Sequence, residues 1–250
     1  MRIELQNVSV ERRGRRILDR VDAVFAPGQM TVVLGRSGAG LSTLLKTAAG
    51  LVQPTGGQVL YDGQALANLD HRRRQALQTR TGFMFQDAAL WANSSLLVNL
   101  DLPLQAKFPG LGPAERRVRI DTALNSCGFA ADLRLRPAML SHGQQTMVSF
   151  LRAIAPGPEA LFLDEPMAAM DQRWRGILIR VLGELRAQGA AVVAVSHDAE
   201  LARVLADRLV ILADGRVLAD GAPEAVRESS DPAVREILHD RFAAADPAGE

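Results

Sequence analysis

Apolar positions along the chain follow two patterns. Short unbroken runs recur at Met30-Thr31-Val32-Val33-Leu34, Phe83-Met84-Phe85, Ala160 to Leu163, Ala191 to Val195 and Leu209 to Leu212. Runs of this length between turn residues predict strands buried on both faces, as in a parallel sheet. The N-terminal segment alternates instead, with Ile3, Leu5, Val8 and Val10 apolar, and predicts a strand that turns near Gly14. Gly56-Gly57 and Asp62-Gly63 punctuate a hairpin around Val59-Leu60-Tyr61.

The second pattern is helical. From Ser42, the spacing of Leu44, Leu45, Ala48 and Ala49 predicts a helix stopped by Gly50. Between Asp87 and Ala155 the texture is helical throughout, with turns at Pro109-Gly110 and Pro137. Strands alternating with helices predict an α/β fold: a mainly parallel sheet flanked by helices, with a helical lobe inserted at about residues 88–155. One short helix is expected after Asp231-Pro232, and Ala243 to Glu250 should fray. The basic run His71-Arg72-Arg73-Arg74 reads as a solvated turn.

Composition narrows the function classes. The 250 residues are 48% hydrophobic, enough for a sizeable core in one large domain or two lobes sharing one. The formal charge of +1, from 29 basic and 28 acidic residues, gives no reason to expect a nucleic-acid partner. Cys127 is the only cysteine, so no intrachain disulfide forms, which fits a reducing compartment. Met1-Arg2-Ile3-Glu4-Leu5 has no signal-peptide apolar core, and no stretch approaches the roughly 20 apolar residues of a membrane span. The expectation is a soluble chain whose membrane role comes through a partner.

Gly35-Arg36-Ser37-Gly38-Ala39-Gly40-Leu41-Ser42-Thr43 follows a strand and opens a helix. Glycines let such a loop curl until its N–H groups converge on phosphate oxygens, and the helix N-terminus adds partial positive charge. The phosphate-loop pattern calls for lysine before Ser-Thr, and Leu41 stands there. A charge-assisted hydrogen bond contributes about 1.5–3 kcal/mol, so affinity for a phosphate ligand should be weakened roughly ten- to 150-fold, and phosphoryl transfer, which that charge assists, should be very slow. Arg36, at a variable loop position, and Lys46, four residues into the helix, are poor substitutes.

Leu161-Phe162-Leu163-Asp164-Glu165-Pro166 is an apolar strand ending in two carboxylates. Asp164 suits Mg²⁺, held together with Ser42, and Glu165 can polarise an attacking water. Leu140-Ser141-His142-Gly143-Gln144-Gln145 precedes a helix, which places Ser141 and backbone N–H groups at a second helix N-terminus.

Taken in order, these segments resemble the ABC ATPase family. They are the phosphate loop, Gln86 after a strand, the Leu-Ser-x-Gly-Gln signature, Asp164-Glu165, Ala168-Ala169-Met170-Asp171, and His197 within Val195-Ser196-His197-Asp198. The resemblance implies a P-loop NTPase core with an N-terminal antiparallel β subdomain over residues 1–225, and a C-terminal helix and tail over 226–250. It implies ATP and Mg²⁺ as ligands. Gly35, Ser37, Gly38, Ala39, Gly40, Leu41, Ser42 and Thr43 would surround the phosphates, with Ser42, Gln86 and Asp164 at the metal. Glu165, His197 and Gln86 would be catalytic, His197 as the switch that contacts the γ-phosphate. Ser141, Gly143 and Gln144 would close over the loop of a second ATPase subunit in a head-to-tail dimer. The lobe after Gln86 would receive a coupling helix, with Trp91 and Leu96 to Leu104 as contact surface.

Several positions depart from the family pattern. Besides Leu41, His142 replaces the signature's first glycine and Met147 stands where arginine is usual. Residues 8–16 hold no aromatic to stack on adenine, although the guanidinium of Arg12 can stack on a base. Arg12, the segment Phe85-Gln86-Asp87-Ala88-Ala89-Leu90-Trp91 through Asn99-Leu100-Asp101-Leu102-Pro103-Leu104, and Ser230 to Leu238 are similar to the ATPase subunits of bacterial MCE-type (Mla-like) lipid transporters. That branch implies a transmembrane permease, a periplasmic MCE protein that handles phospholipid, and a place at the cytoplasmic face of the inner membrane. A degenerate nucleotide-binding or regulatory subunit is the competing reading. A soluble ABC protein of repair or translation would need tandem domains or a long coiled-coil insertion, for which the lobe is too short.

Overall fold

The structure, a computed structural model, describes residues 1–197 and 199–243. Asp198 lies outside the described residues, as do residues 244–250 of the tail expected to fray from Ala243, whereas Ala243 itself is helical. Strands β1 (Ile3–Arg12) and β2 (Arg15–Phe25) form an antiparallel hairpin whose turn places Arg13 and Gly14 at φ 51° and 74°. The other edge of β1 pairs with β4 (Gly56–Tyr61), which turns through Asp62-Gly63 into β5 (Gln64–Ala65). These strands make an antiparallel sheet of order β2-β1-β4-β5. Gly56 and Gly57 lie inside β4 rather than bounding it, because the backbone of Gly57 runs hard against β1: a Cβ there would lie 2.2 Å from Asn7 O.

The buried apolar runs form the second sheet: β3 (Met30–Gly35), β6 (Thr81–Met84), β7 (Ala160–Asp164), β8 (Ala191–Ser196) and β9 (Arg208–Ala213). With β10 (Arg216–Gly221) at its edge, the order is β10-β9-β3-β8-β7-β6, parallel except for β10. Because successive strand residues point to opposite faces, the sheet feeds two cores. Met30, Val32 and Leu34 join one cluster and Val33 the other. The second cluster packs α1 (Leu41–Ala48) and the antiparallel sheet on that face.

The run His71–Arg74, expected as a turn, instead opens α2 (His71–Thr79). Asp70 caps it by accepting a hydrogen bond from Arg73 N at 2.8 Å, which satisfies one of the helix's orphan donors and overrides the solvated-turn reading. The inserted lobe contains α3 (Leu96–Lys107), α4 (Pro113–Ser126) and α5 (His142–Ile154). Leu96, Leu100, Ile120 and Phe150 share the first cluster, so the lobe and the parallel sheet have a common core. The remaining helices are α6 (Gln172–Ala187), α7 (Glu200–Val204), α8 (Pro223–Arg227) and α9 (Pro232–Ala243). Helix α9 is docked: Val234, Ile237 and Leu238 are buried in the first cluster. Among the described residues no helix is long and apolar enough to cross a membrane.

Candidate functional site

The phosphate loop leaves β3 at Gly35 and re-enters helix at Leu41. Its curl needs glycine. Gly38 and Gly40 have φ of 82° and 102°, in the left-handed region that side chains disfavour. Space is as tight: a Cβ on Gly40 would lie 2.9 Å from Ile17 O, and one on Gly35 only 2.4 Å from Leu212 O. Helix α1 begins with no side-chain cap on Gly40, so its first-turn N–H groups are not taken by the chain's own capping side chain. That arrangement fits an anion at the loop.

Leu41 takes no part in the loop's polar surface. It is buried in the second cluster with Leu18, Leu44, Leu45 and Leu212, filling apolar space between the sheets. Lys46 lies in the last turn of α1. Arg36 does lie on the loop, but its guanidinium is ion-paired with Glu236 and lies 3.7 Å from Asp240, both on α9.

Across the mouth of the loop, β7 delivers two buried carboxylates. Ser42 Oγ donates to Asp164 Oδ1 at 3.0 Å. Glu165 has φ 51°, strained for a non-glycine residue, and its N–H is held by Val195 O at 3.0 Å. Its carboxylate accepts from His197 N at 3.1 Å, and His197 Nε2 lies 3.4 Å from its other oxygen. His197 Nδ1 is buried without a hydrogen-bond partner among the described residues. Burial pushes both carboxyls above the ordinary carboxylate range; Ser42 pulls Asp164 back in part, and the His197 N–H does so for Glu165. No group of three or more His, Cys, Asp or Glu among the described residues could hold a metal. The Ser42–Asp164 pair still fits a hard divalent cation that takes its remaining ligands from phosphate and water.

The other sequence-selected residues fall into two groups. Gln86 stands exposed on the turn after β6, and Arg12 is exposed at the end of β1, paired across the hairpin with Arg15, two residues before the Ile17 backbone that abuts Gly40. Ser141 caps α5 in a reciprocal box: its hydroxyl accepts from Gln144 N at 3.3 Å, and its own N–H donates to Gln144 Oε1 at 2.9 Å. Gly143 packs against the Ala168–Asp171 loop, where a Cβ would lie 2.9 Å from Ala169 O. Within this chain Ser141, Gly143 and Gln144 share no hydrogen bond with the phosphate loop among the described residues. Met147 is fully buried in the first cluster, a position with no room for a solvated arginine.

Two residues absent from the sequence reading shape the site. Arg152, buried on α5, donates to Ala89 O at 2.7 Å and Ala88 O at 2.9 Å, and lies 5.5 Å from the Trp91 ring centroid. It thereby fixes the left-handed pair Ala88 and Ala89 (φ 60° and 45°) just after Gln86. Arg241 on α9 donates to Gly35 O at 2.8 Å. An arginine inside an apolar helical stretch was a readable signal for Arg152; Arg241, 206 residues from its partner, carried none.

A strand–loop–helix with an uncapped helix start, facing a strand that ends in buried carboxylates, defines a phosphate-loop nucleotide-binding domain. The chain belongs to the ABC transporter family, whose model matches residues 18–168. Among curated relatives, the Escherichia coli (strain K12) "Intermembrane phospholipid transport system ATP-binding protein MlaF" is 30% identical, over 94% of this chain and 88% of its own. The "Fe(3+) ions import ATP-binding protein FbpC" of Streptomyces avermitilis is 36% identical, over 100% of this chain and 71% of its own. A solved dimeric ATP-binding cassette, in a post-hydrolysis state bound to ADP and Pi, is 30% identical with a TM-score of 0.81, covering 88% of this chain and 98% of that one.

Proposed function

We propose that this chain is the ATP-driven subunit of a transporter that moves phospholipid at the bacterial inner membrane. Two copies work on the cytoplasmic face of a transmembrane permease that is joined to a periplasmic MCE protein. The observation that carries the ATP-driven reading is the cluster Ser42–Asp164–Glu165–His197 at the mouth of the phosphate loop. Ser42 and Asp164, with Gln86 from the neighbouring turn, would hold Mg²⁺, which offsets phosphate charge when bound. Glu165 orients a water and takes up its proton, a role favoured by its raised proton affinity. His197 fixes the Glu165 carboxylate through its own N–H. Ser141, Gly143 and Gln144, which share no hydrogen bond with the loop of their own chain among the described residues, would close over the loop of the second copy, and Arg12 would lie against the base.

Phospholipid is favoured over iron by relatedness along nearly the whole of both chains. The chain spans 88% of MlaF but 71% of FbpC, and the segments around Arg12, Trp91 and Ser230 to Leu238 resemble the lipid-transport branch. A second reading, a subunit that holds nucleotide with little turnover, is favoured by the burial of Leu41. The substrate is tested by reconstituting the complex, purified through a tag on this chain, into vesicles. ATP-dependent transfer of a fluorescent phospholipid is expected. ATP-dependent ferric ion uptake with no lipid transfer would overturn the assignment.

A further inference from the structure

Leu41 and Arg241 converge on one residue. Leu41 Cδ2 lies 3.3 Å from where a Cβ of Gly35 would be, and the Arg241 guanidinium donates to the carbonyl of the same glycine at 2.8 Å. Gly35 is the residue at which β3 ends and the phosphate loop begins. A long cationic side chain at position 41 would therefore share this corner of the loop. We propose that Arg241 supplies the cation that meets the nucleotide phosphates here, in place of a lysine on α1; the inference rests on the nucleotide-binding reading above.

Arg241 Nη2 holds the Gly35 carbonyl and Nε is buried without a hydrogen-bond partner among the described residues, so the Nη1 donors are the ones left for a ligand. Arginine presents five donors in a rigid fork, holds its charge at every physiological pH, and matches phosphate oxygens in pairs. It is also positioned in advance. Val234, Ile237 and Leu238 bury one face of α9 in the core, and the neighbouring Phe242 ring lies 4.9 Å from the Arg227 guanidinium and 5.9 Å from that of Arg203. Arg36 ties the same helix to the loop through Glu236. That pairing occupies Arg36 with carboxylates and makes Arg241 the better-placed cation of the two.

The alternative is that Arg241 merely straps α9 to the Gly35 carbonyl. Calorimetric MgATP titration of the full-length protein separates the two, with a melting curve for each variant. Arg241→Gln is expected to weaken the dissociation constant roughly ten- to 150-fold. Arg241→Lys, which keeps the charge, should lose much less. Adding Leu41→Lys to Arg241→Gln should recover most of the loss, because charge returns to the same corner from the other side. Arg241→Gln binding like wild type would overturn the proposal. So would a loss shared equally by Arg241→Lys and left unrescued by Leu41→Lys, since that pattern describes a strap. A wild type that binds no MgATP overturns the nucleotide reading as well, and only that result touches both.

Discussion

Asp164 and Glu165 are kept in an environment that does not suit them. Each is nearly inaccessible to solvent, and each holds its proton more tightly in the folded chain than an ordinary carboxyl. Between the unfolded and folded titration points the native state binds more protons, so stability falls as pH rises through that window. At pH 7 both groups therefore detract from the stability of the nucleotide-free chain, and Glu165 adds the strain of its left-handed backbone. Glu165→Gln should raise the melting temperature of the nucleotide-free protein at pH 7, with the gap closing below about pH 4 as the wild-type carboxyl protonates. Differential scanning calorimetry across pH checks this. A variant that melts lower than wild type at pH 7 would mean that the carboxylate contributes to folding rather than to chemistry.

At the scale of elements, the groove between the lobe and the parallel sheet is the part most suited to a partner. It is lined by Leu51, Phe83, Phe85, Trp91, Pro103 and Lys107, with a volume near 410 Å³. Trp91 is 47% exposed, and its backbone is fixed by Asn99, whose Oδ1 accepts from Trp91 N at 2.8 Å. A half-exposed tryptophan on a rigid loop suits an interface anchor better than a core residue. Trp91→Ala should release the chain from its permease in co-purification while moving its own melting temperature little. A large fall in melting temperature with the permease retained would return Trp91 to the lobe's own packing.

Elements also differed in how plainly the sequence announced them. Apolar runs such as Ala191 to Val195 were legible because a strand buried on both faces must be apolar throughout. Helix α2 was not, since its charged face has no apolar stripe and its one signal was the Asp70 cap. The carboxylates, the loop glycines and Ser42 were legible because their chemistry requires those residue types at fixed spacing. Arg241 was not, because reaching Gly35 depends on where α9 docks after the whole sheet has formed.

At the scale of the molecule, two sheets share helix α1 between them, and the phosphate loop lies where β3 meets that helix. The signature residues stand on the inserted lobe, where Gly143 packs against the Ala168–Asp171 loop. On the proposed reading, a closed site takes its signature residues from a second chain, and the solved cassette relative is itself dimeric. On the same proposed reading, this site turns over ATP through Glu165 despite Leu41. Steady-state ATP hydrolysis by the complex purified with its permease tests it most directly, wild type beside Glu165→Gln. Measurable wild-type turnover is expected, falling by about 10²–10⁴-fold in the variant, as on the loss of a positioned general base. Equal rates in the two proteins, or no wild-type turnover above background, would contradict it.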